Sequence, residues 1–250
     1  MAAISAHSGG TEVAPPGTYA AYTNALQAGA DYVEFDIRRT VDGERAVYHD
    51  AHVAADAPVA QISYARLCEL AGYEVPRVTD LMRLIAGRAS GHLDLKETGG
   101  EEPVIEQALD ILGPGNFVAT TLEDASVAAI KTRFPEVPVG LSLGRDLGGV
   151  PLLRQPLTRR SEVFPRGRIR ACGADWVAMH HRLAFAGVLR RCHHDGIKTM
   201  VWTVNSDAGI TRWLADPRVD VLITDRPSYA VASRERMRGG ADASTGKMAM

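Results

Sequence analysis

The sequence has little that would place the protein in a membrane or outside the cell. No apolar run approaches the roughly 20 residues that a membrane-spanning helix needs. The opening segment, MAAISAHSGG, has no basic stretch followed by a long apolar one, so the chain as written carries no signal peptide. There are only three cysteines (Cys68, Cys172 and Cys192), an odd number without the spacing of a metal site, which indicates reduced thiols. These absences predict a cytoplasmic protein.

An excess of charge of one sign is also missing. The formal net charge is −2, which gives no reason to expect nucleic acid as a partner. Contact with a membrane surface is neither excluded nor indicated, and nothing predicts the oligomeric state. A chain of 250 residues with ordinary apolar content can bury a large core as one α/β domain.

Short β-branched runs alternate with amphipathic stretches along the chain, as in βαβ architectures. The predicted strands cover residues 3–7, 31–37, 91–95, 117–120, 137–141, 175–178, 198–203 and 219–223. Helical patterns between them include residues 18–27, 79–86, 104–111, 122–133 and 185–194. Eight strands with interposed helices predict a single (β/α)8 TIM barrel over residues 1–233, and an open doubly wound sheet is the alternative.

Two segments depart from this alternation. Residues 144–170 carry three prolines and seven arginines, which predicts an Arg/Pro-rich insertion in the form of a long loop. Its arginines are interpreted as a solvated face rather than a surface for an anionic ligand. Residues 234–250 are polar and Gly-rich and are expected to form a disordered tail.

Two carboxylates stand on one predicted strand. In the run GADYVEFDIRRTVDG, Glu34 and Asp36 are two residues apart and project from the same face. Inside a barrel, unpaired carboxylates on that face are costly to bury. The alternative, an exposed edge strand with solvated acids, is disfavoured by Val33, Phe35 and Ile37 on the other face. The pattern predicts a cation at the carboxyl end of this strand.

The next strand, in GHLDLKE, carries a third acid. Asp94 shares one face with His92 and Lys96 and can form a three-carboxylate cluster with Glu34 and Asp36. Ligands that are all oxygen suit Mg²⁺ or Ca²⁺ rather than zinc. Lys96 supplies a compact charge suited to a phosphate oxygen, whereas His92 is expected to be a packed, hydrogen-bonded residue.

Two histidines lie where predicted strands end. His7 leads into the flexible Ser8-Gly9-Gly10 loop, and His49 follows the turn at Asp42-Gly43. A pair of imidazoles beside a metal-bound phosphate supplies an acid and a base near neutral pH. Each histidine alone would be interpreted as structural. Because both lie in the same part of the sequence as the carboxylates, we predict that they form an acid–base pair.

Together these segments resemble the glycerophosphodiester phosphodiesterases. That family carries His-Arg-Gly, Pro-Glu-Asn-Thr, Gly-Ala-Asp with Glu-x-Asp, Thr-x-Asp-Gly, His-Asp and Glu-x-Lys motifs. The matching segments here are His7-Ser8-Gly9, Pro15-Pro16-Gly17-Thr18, Gly29-Ala30-Asp31, Glu34-Phe35-Asp36, Thr40-Val41-Asp42-Gly43, His49-Asp50 and Asp94-Leu95-Lys96. The segments VWTVN (201–205) and ITDRP (223–227) are similar to the family's last two strands. The resemblance therefore spans nearly the whole chain.

The resemblance implies a metal-dependent phosphoric diester hydrolase acting on a glycerophosphodiester or a similar small diester. The implied metal ligands are Glu34, Asp36 and Asp94, and the implied acid–base pair is His7 and His49. Lys96 is then expected to contact phosphate and Trp202 to line the pocket mouth. Either water or a neighbouring hydroxyl of the substrate is the attacking group, the latter through a cyclic phosphate.

Three positions depart from the family pattern. Ser8 stands in place of arginine, Pro16 of glutamate and Gly17 of asparagine. Loss of the arginine removes a bidentate phosphate clamp. Arg38, two residues beyond Asp36 and on the same face, is expected to take over part of this phosphate-binding role.

The segment Asp94-Leu95-Lys96, with aspartate in place of the family's glutamate, resembles a motif of the sphingomyelinase-D-type phospholipases. Those enzymes use Glu-x-Asp with a later Asp-x-Lys. Two alternatives to the hydrolase follow. One is a phospholipase D-like transphosphorylating lyase that releases a cyclic phosphate. The other is a non-catalytic barrel that binds a phosphorylated ligand.

Overall fold

The computed structural model describes residues 1–148 and 150–246, with side chains through residue 239. Its strands, in chain order, are Ala3–Ala6 (β1), Tyr32–Arg39 (β2), Arg45–Val47 (β3), His52–Ala54 (β4), Ala57–Pro58 (β5), Ser90–Leu95 (β6), Phe117–Thr121 (β7), Val139–Leu143 (β8), Trp176–His180 (β9), Lys198–Trp202 (β10) and Val221–Thr224 (β11). The α-helices are Tyr19–Ala28 (α1), Tyr64–Ala71 (α2), Val78–Ile85 (α3), Glu101–Ile111 (α4), Asp124–Arg133 (α5), Gln155–Val163 (α6), Arg166–Cys172 (α7), His181–Phe185 (α8), Val188–His194 (α9), Asp207–Ala215 (α10) and Pro227–Gly246 (α11).

Eight parallel strands close into a barrel. The order β1-β11-β10-β9-β8-β7-β6-β2 is completed by pairing of β1 with β2, so the sheet has no free edge among these strands. Each of the eight overlaps a predicted strand. The TIM barrel prediction is therefore confirmed, and the open doubly wound sheet is excluded.

Side-chain alternation divides the apolar residues into two layers. One layer lies between the strands and the surrounding helices and includes the fully buried Ile4, Phe35 and Leu93. The barrel interior holds a smaller cluster, which consists of Val118, Trp176, Ala178, Met200, Val221 and Ile223. Because that cluster fills the interior, acids such as Glu34 and Asp36 lie above it at the carboxyl ends of the strands.

A small excursion leaves the barrel after β2. The chain turns at residues 40–43, pairs back as antiparallel β3, and continues through the β4–β5 hairpin and α2 before α3. Ala46, Val59, Leu67 and Val75 form its own buried cluster. His49 lies just beyond β3, so this excursion brings it toward the barrel mouth.

The segment 144–170 is more ordered than the expected loop. It contains a 3₁₀ turn at Leu152–Arg154, then α6 and the start of α7. The buried Glu162 carboxylate accepts hydrogen bonds of 2.9 Å from the backbone N–H groups of Gly144 and Arg145 and forms an ion pair with Arg159. These contacts tie the insertion to the end of β8.

The expected disordered tail begins inside α11. Residues 234–246 are helical, and at the start of this stretch Arg234 pairs with Asp31 and Met237 packs against the core. Residues 247–250 lie outside the described residues.

Within the described part of the chain, no helix combines the length and the apolar character needed to cross a membrane. All three cysteines are free thiols, as the sequence indicates, with Cys172 and Cys192 buried.

Candidate active site

Three carboxylates converge at the mouth of the barrel. Glu34 and Asp36 lie on β2, and Asp94 stands directly opposite Asp36 on neighbouring β6. One oxygen from each lies within 4.8 Å of the others. Glu34 and Asp36 are only 4% and 3% exposed, so their negative charges are poorly solvated and call for a cation.

Lys96 supplies part of that positive charge. Its Nζ lies 2.8 Å from Asp36 Oδ1 and also pairs with Asp94. Burial opposes protonation of Lys96, but the Asp94 and Asp36 carboxylates outweigh it and raise its pKa. One ammonium does not balance three acids. Burial, followed by the Asp36 charge, therefore raises the pKa of Glu34 to about 8.

The loop after β1 meets the cluster through Ser8. Its backbone N–H donates to Glu34 Oε2 at 2.7 Å, and its hydroxyl donates to Asp36 Oδ2 at 3.3 Å. Among the described residues, Ser8 alone has a positive φ (46°) without being glycine. The next residue must be glycine, because a Cβ on Gly9 would lie 2.8 Å from the backbone of α1. This strained turn directs the Ser8 backbone N–H toward the Glu34 carboxylate.

His7 is held by residues that follow the neighbouring strands β10 and β11. Its Nδ1 donates to Asp225 Oδ1 at 2.6 Å, and Asn205 donates to the other oxygen of Asp225. Burial lowers the pKa of His7, but the Glu34 charge and the Asp225 bond outweigh it and raise that pKa to about 9. With Nδ1 occupied, Nε2 is the atom left for substrate.

His49 is more open. Its side chain is 62% exposed, and Nδ1 donates to Asp50 Oδ1 at 2.8 Å. Its backbone carbonyl accepts a 3.0 Å hydrogen bond from Arg38 Nε, while the Arg38 guanidinium also lies 3.5 Å from Glu97. Arg38 thus fixes the position of the His49 backbone.

His92 belongs to a buried polar chain beneath the acids. It contacts Ser5 Oγ at 3.1 Å and Thr120 Oγ1 at 3.0 Å, and Thr120 donates to Asp94 Oδ1 at 2.7 Å. Burial lowers the pKa of His92 to about 4, so the ring is neutral. The expectation of a packed, hydrogen-bonded residue is confirmed.

One cavity of about 490 Å³ is lined by Glu34, Asp94, His92 and Thr120, but not by Asp36. Its walls include His7, His49, Lys96, Arg38 and Trp202. The sequence-predicted residues are thus brought together around one space, with three basic side chains (Arg38, Lys96 and Arg145) beside the acidic cluster.

Three residues that support the site were not predicted. Asp225 and Asn205 orient His7, and Thr120 orients Asp94. Asn205 ends the VWTVN segment and Asp225 lies in ITDRP, so the motifs were visible but the contact to His7 was not. Thr120 gives no signal beyond its place at the end of a strand.

The carboxylates fit a hard divalent cation. Oxygen ligands of one Ca²⁺ lie about 2.3–2.6 Å from it, so any two of them are separated by no more than about 5 Å. The cluster meets this limit, offers only oxygen donors and carries more negative charge than Lys96 balances.

A (β/α)8 barrel with an acidic cluster that could hold a divalent cation, and with a lysine and two histidines around the same cavity, has the arrangement expected of a metal-dependent phosphoryl-transfer enzyme. Residues 7–132 match the glycerophosphoryl diester phosphodiesterase family. The chain belongs to this family of phosphoric diester hydrolases.

Individual relatives cover the chain almost end to end. A glycerophosphodiester phosphodiesterase from Bacillus altitudinis is 25% identical over 263 aligned residues, covering 95% of this chain and 100% of that protein. The crystal structure of a glycerophosphodiester phosphodiesterase from Thermotoga maritima has a TM-score of 0.72 at 20% identity, covering 93% of this chain and 98% of that one. An Oleispira antarctica phosphodiesterase, solved with its product sn-glycerol 3-phosphate, has a TM-score of 0.73 at 17% identity and covers 93% and 96%. The solved structures support the fold.

Proposed function

We propose that the protein hydrolyses glycerophosphodiesters to a phosphomonoester and an alcohol, using a divalent cation and the His7–His49 pair. The observation that carries this proposal is the convergence of Glu34, Asp36 and Asp94 within 4.8 Å beside both histidines. Family membership supports the reaction type.

The proposed roles follow from chemistry. Glu34, Asp36 and Asp94 would hold Mg²⁺ or Ca²⁺, which when bound withdraws charge from a phosphoryl oxygen. Lys96 would place its ammonium against another phosphoryl oxygen while remaining paired with the acids.

Proton transfer falls to the two imidazoles. One would take the proton of the attacking water or hydroxyl, and the other would give a proton to the leaving oxygen. The negative charge of Glu34 is a main cause of the raised pKa of His7. A cation bound to Glu34 would offset that charge and move the pKa of His7 toward neutrality, where a histidine can both accept and release a proton.

Phosphorus NMR of the protein with Mg²⁺ or Ca²⁺ and a panel of glycerophosphodiesters tests the proposal. We expect a linear phosphomonoester, its loss with a chelator, and a rate at least about a hundredfold lower in Asp36→Asn. Asp80→Asn, which removes a surface acid paired with Arg83 on α3, is the matched control and should be as active as the native protein. A stable cyclic phosphate would support the lyase instead, and no turnover would overturn catalysis altogether.

A cytoplasmic location is also a proposal. It is supported by three unpaired cysteines, two of them buried. Cell fractionation tests it, and recovery from the periplasm or the medium would contradict it.

A further inference from the structure

Large exposed apolar side chains are concentrated at one end of the barrel. Among the described residues other than Met1, they are Val13, Val41, Leu152, Leu153, Leu157, Phe164 and Phe185. All seven lie in segments between the carboxyl end of a strand and the helix that leads back to the next strand. Such segments form the face of a (β/α)8 barrel that carries the active site. Isolated exposed apolar residues are ordinary, but their concentration on one face indicates an interaction surface.

The 144–170 insertion contributes most of this surface. Leu152, Leu153 and Leu157 are 80%, 93% and 66% exposed, and Phe164, which follows α6, is 59% exposed. Four of the seven apolar side chains therefore fall within thirteen consecutive residues. This density identifies the 3₁₀ turn and α6 as the centre of the surface.

Helix α6 turns its apolar side chains outward and its polar ones inward. The 3₁₀ turn runs directly into α6, so Leu153, Leu157 and Arg160 share one face, and all three are exposed. The polar residues of the helix that are partly or fully buried are Gln155, Thr158, Arg159 and Glu162. A surface helix of a globular protein normally has the opposite orientation. The observed orientation suits a helix that lies on an apolar interface.

Contacts of the inward face fix this orientation. The Glu162 carboxylate accepts the backbone N–H groups of Gly144 and Arg145, and Gln155 Nε2 donates to two backbone carbonyls of the preceding loop at 3.2 and 3.1 Å. Because Gly144 and Arg145 also line the active-site cavity, α6 is attached directly to the wall of that cavity. The leucines thus stand on a fixed helix beside the barrel mouth.

The charge of the insertion indicates the partner. Residues 144–170 contain seven arginines and two carboxylates, a net charge of +5, whereas the whole chain has −2 and the other 223 residues therefore carry −7. Four of these arginines pair with carboxylates. Arg154, Arg160 and Arg170 are exposed and have no carboxylate partner among the described residues. Unpaired positive charge next to exposed leucines is complementary to a surface that is both anionic and apolar.

We propose that the 3₁₀ turn and α6 dock the barrel mouth on an anionic lipid surface. Leu153 and Leu157 enter the apolar boundary, while Arg154 and Arg160 meet lipid phosphates. A second copy of this chain fits the patch less well, because a two-fold dimer would bring its unpaired arginines against each other.

Co-sedimentation of the full chain with lipid vesicles tests the proposal without reference to turnover. We expect binding to vesicles of phosphatidylcholine mixed with phosphatidylglycerol, decreasing as salt rises, and much weaker binding to pure phosphatidylcholine. The double variant Leu153→Ser/Leu157→Ser should bind at least about tenfold more weakly. Its matched control, Leu153→Met/Leu157→Met, keeps both side chains apolar and should bind like the native protein.

A second pair of variants tests the charge. Arg160→Gln should bind the mixed vesicles about fivefold more weakly, the contribution of one arginine near an anionic surface. Arg88→Gln, which removes an exposed arginine just before β6 and thus at the opposite end of the barrel, should bind normally. Because all the substituted side chains are exposed, each variant should have the urea-unfolding midpoint of the native protein.

Three results would overturn the proposal. The first is absence of binding to the mixed vesicles, and the second is unchanged binding of the Leu153→Ser/Leu157→Ser variant or equal losses in Arg160→Gln and Arg88→Gln. The third is a dimer in solution that the leucine variant dissociates, since the patch would then belong to an interface between two copies of the chain.

Discussion

The metal-free protein is expected to lose stability as the pH rises, and a divalent cation is expected to restore it. The pKa of Glu34 is raised to about 8 from 4.5, chiefly by burial and the Asp36 charge. The pKa of His7 is raised to about 9 from 6.5, because the Glu34 charge and the Asp225 bond outweigh burial. From pH 4.5 to 8 the folded state keeps a proton on Glu34 that the unfolded chain has released, and from 6.5 to 9 the same holds for His7. The folded state binds more protons, so its unfolding free energy falls with rising pH.

The size of this effect follows from about 1.4 kcal/mol for each pKa unit. Glu34 and His7 attract each other when both are charged, so their contributions overlap, and solvent reaches the 32% exposed His7 side chain. We expect a loss of about 2–4 kcal/mol between pH 6 and pH 9. A cation that replaces the proton on Glu34 should remove most of this loss.

Urea unfolding in a chelator and in Mg²⁺ or Ca²⁺, at pH 6 and pH 9, measures the effect. Glu34→Gln is the matched variant, since its amide oxygen can still accept the Ser8 N–H. It should lose less stability with pH and gain little from the cation. Equal stability of the metal-free native protein at both pH values would show that Glu34 and His7 do not bind extra protons in the folded state. Equal stabilisation of the variant by the cation would show that Glu34 does not hold the ion.

Three further predictions concern residues around the cluster. Arg38→Ala should lower kcat/KM about tenfold or more, whereas the exposed Arg39→Ala should change it by less than about twofold, because only the first holds the His49 backbone; equal effects in steady-state kinetics would contradict this. Thr120→Val should weaken metal binding about 10- to 100-fold by calorimetry, because a cluster carboxylate loses its 2.7 Å donor; unchanged affinity would count against the cluster as the metal site. Asp225→Asn should lower kcat more than it changes KM. It should also lower the pKa of His7 in an NMR titration, because the carboxylate that accepts the Nδ1 proton of His7 is lost. An unchanged pKa of His7 would show that Asp225 does not control its protonation.

Much of the barrel could be predicted because its signals are local. Alternation along β2 places Glu34 and Asp36 on one face, and the parallel neighbour β6 carries Asp94 at the matching height. The excursion after β2 was not predicted in detail, since its strands are only two or three residues long and its helix packs on its own small cluster. Helices α6 and α7 were obscured by prolines and arginines, and their anchor is the tertiary contact of buried Glu162 with the end of β8.

In the candidate site, too, the residues with local sequence signals could be predicted and those that depend on long-range contacts could not. Residues that share a strand or follow one directly could be chosen from spacing. The partner of His7 could not, because Asp225 is separated from it by 218 positions and meets it only when β11 closes the barrel against β1. A small recess lined by Ser8, Gly17, Tyr48 and Tyr73 likewise could not be predicted, because it forms where residues of the excursion meet the loop after β1.

In the mechanism we propose, three acids hold one divalent ion, and the substrate phosphate binds to that ion between two imidazoles. A crystal structure of the protein with Ca²⁺ and sn-glycerol 3-phosphate tests it most directly. The predicted result is an ion about 2.3–2.6 Å from one oxygen each of Glu34, Asp36 and Asp94, with a phosphoryl oxygen on the same ion and both His7 and His49 within hydrogen-bonding reach of the phosphate. An ion bound elsewhere, or a phosphate remote from either histidine, would rule out this mechanism.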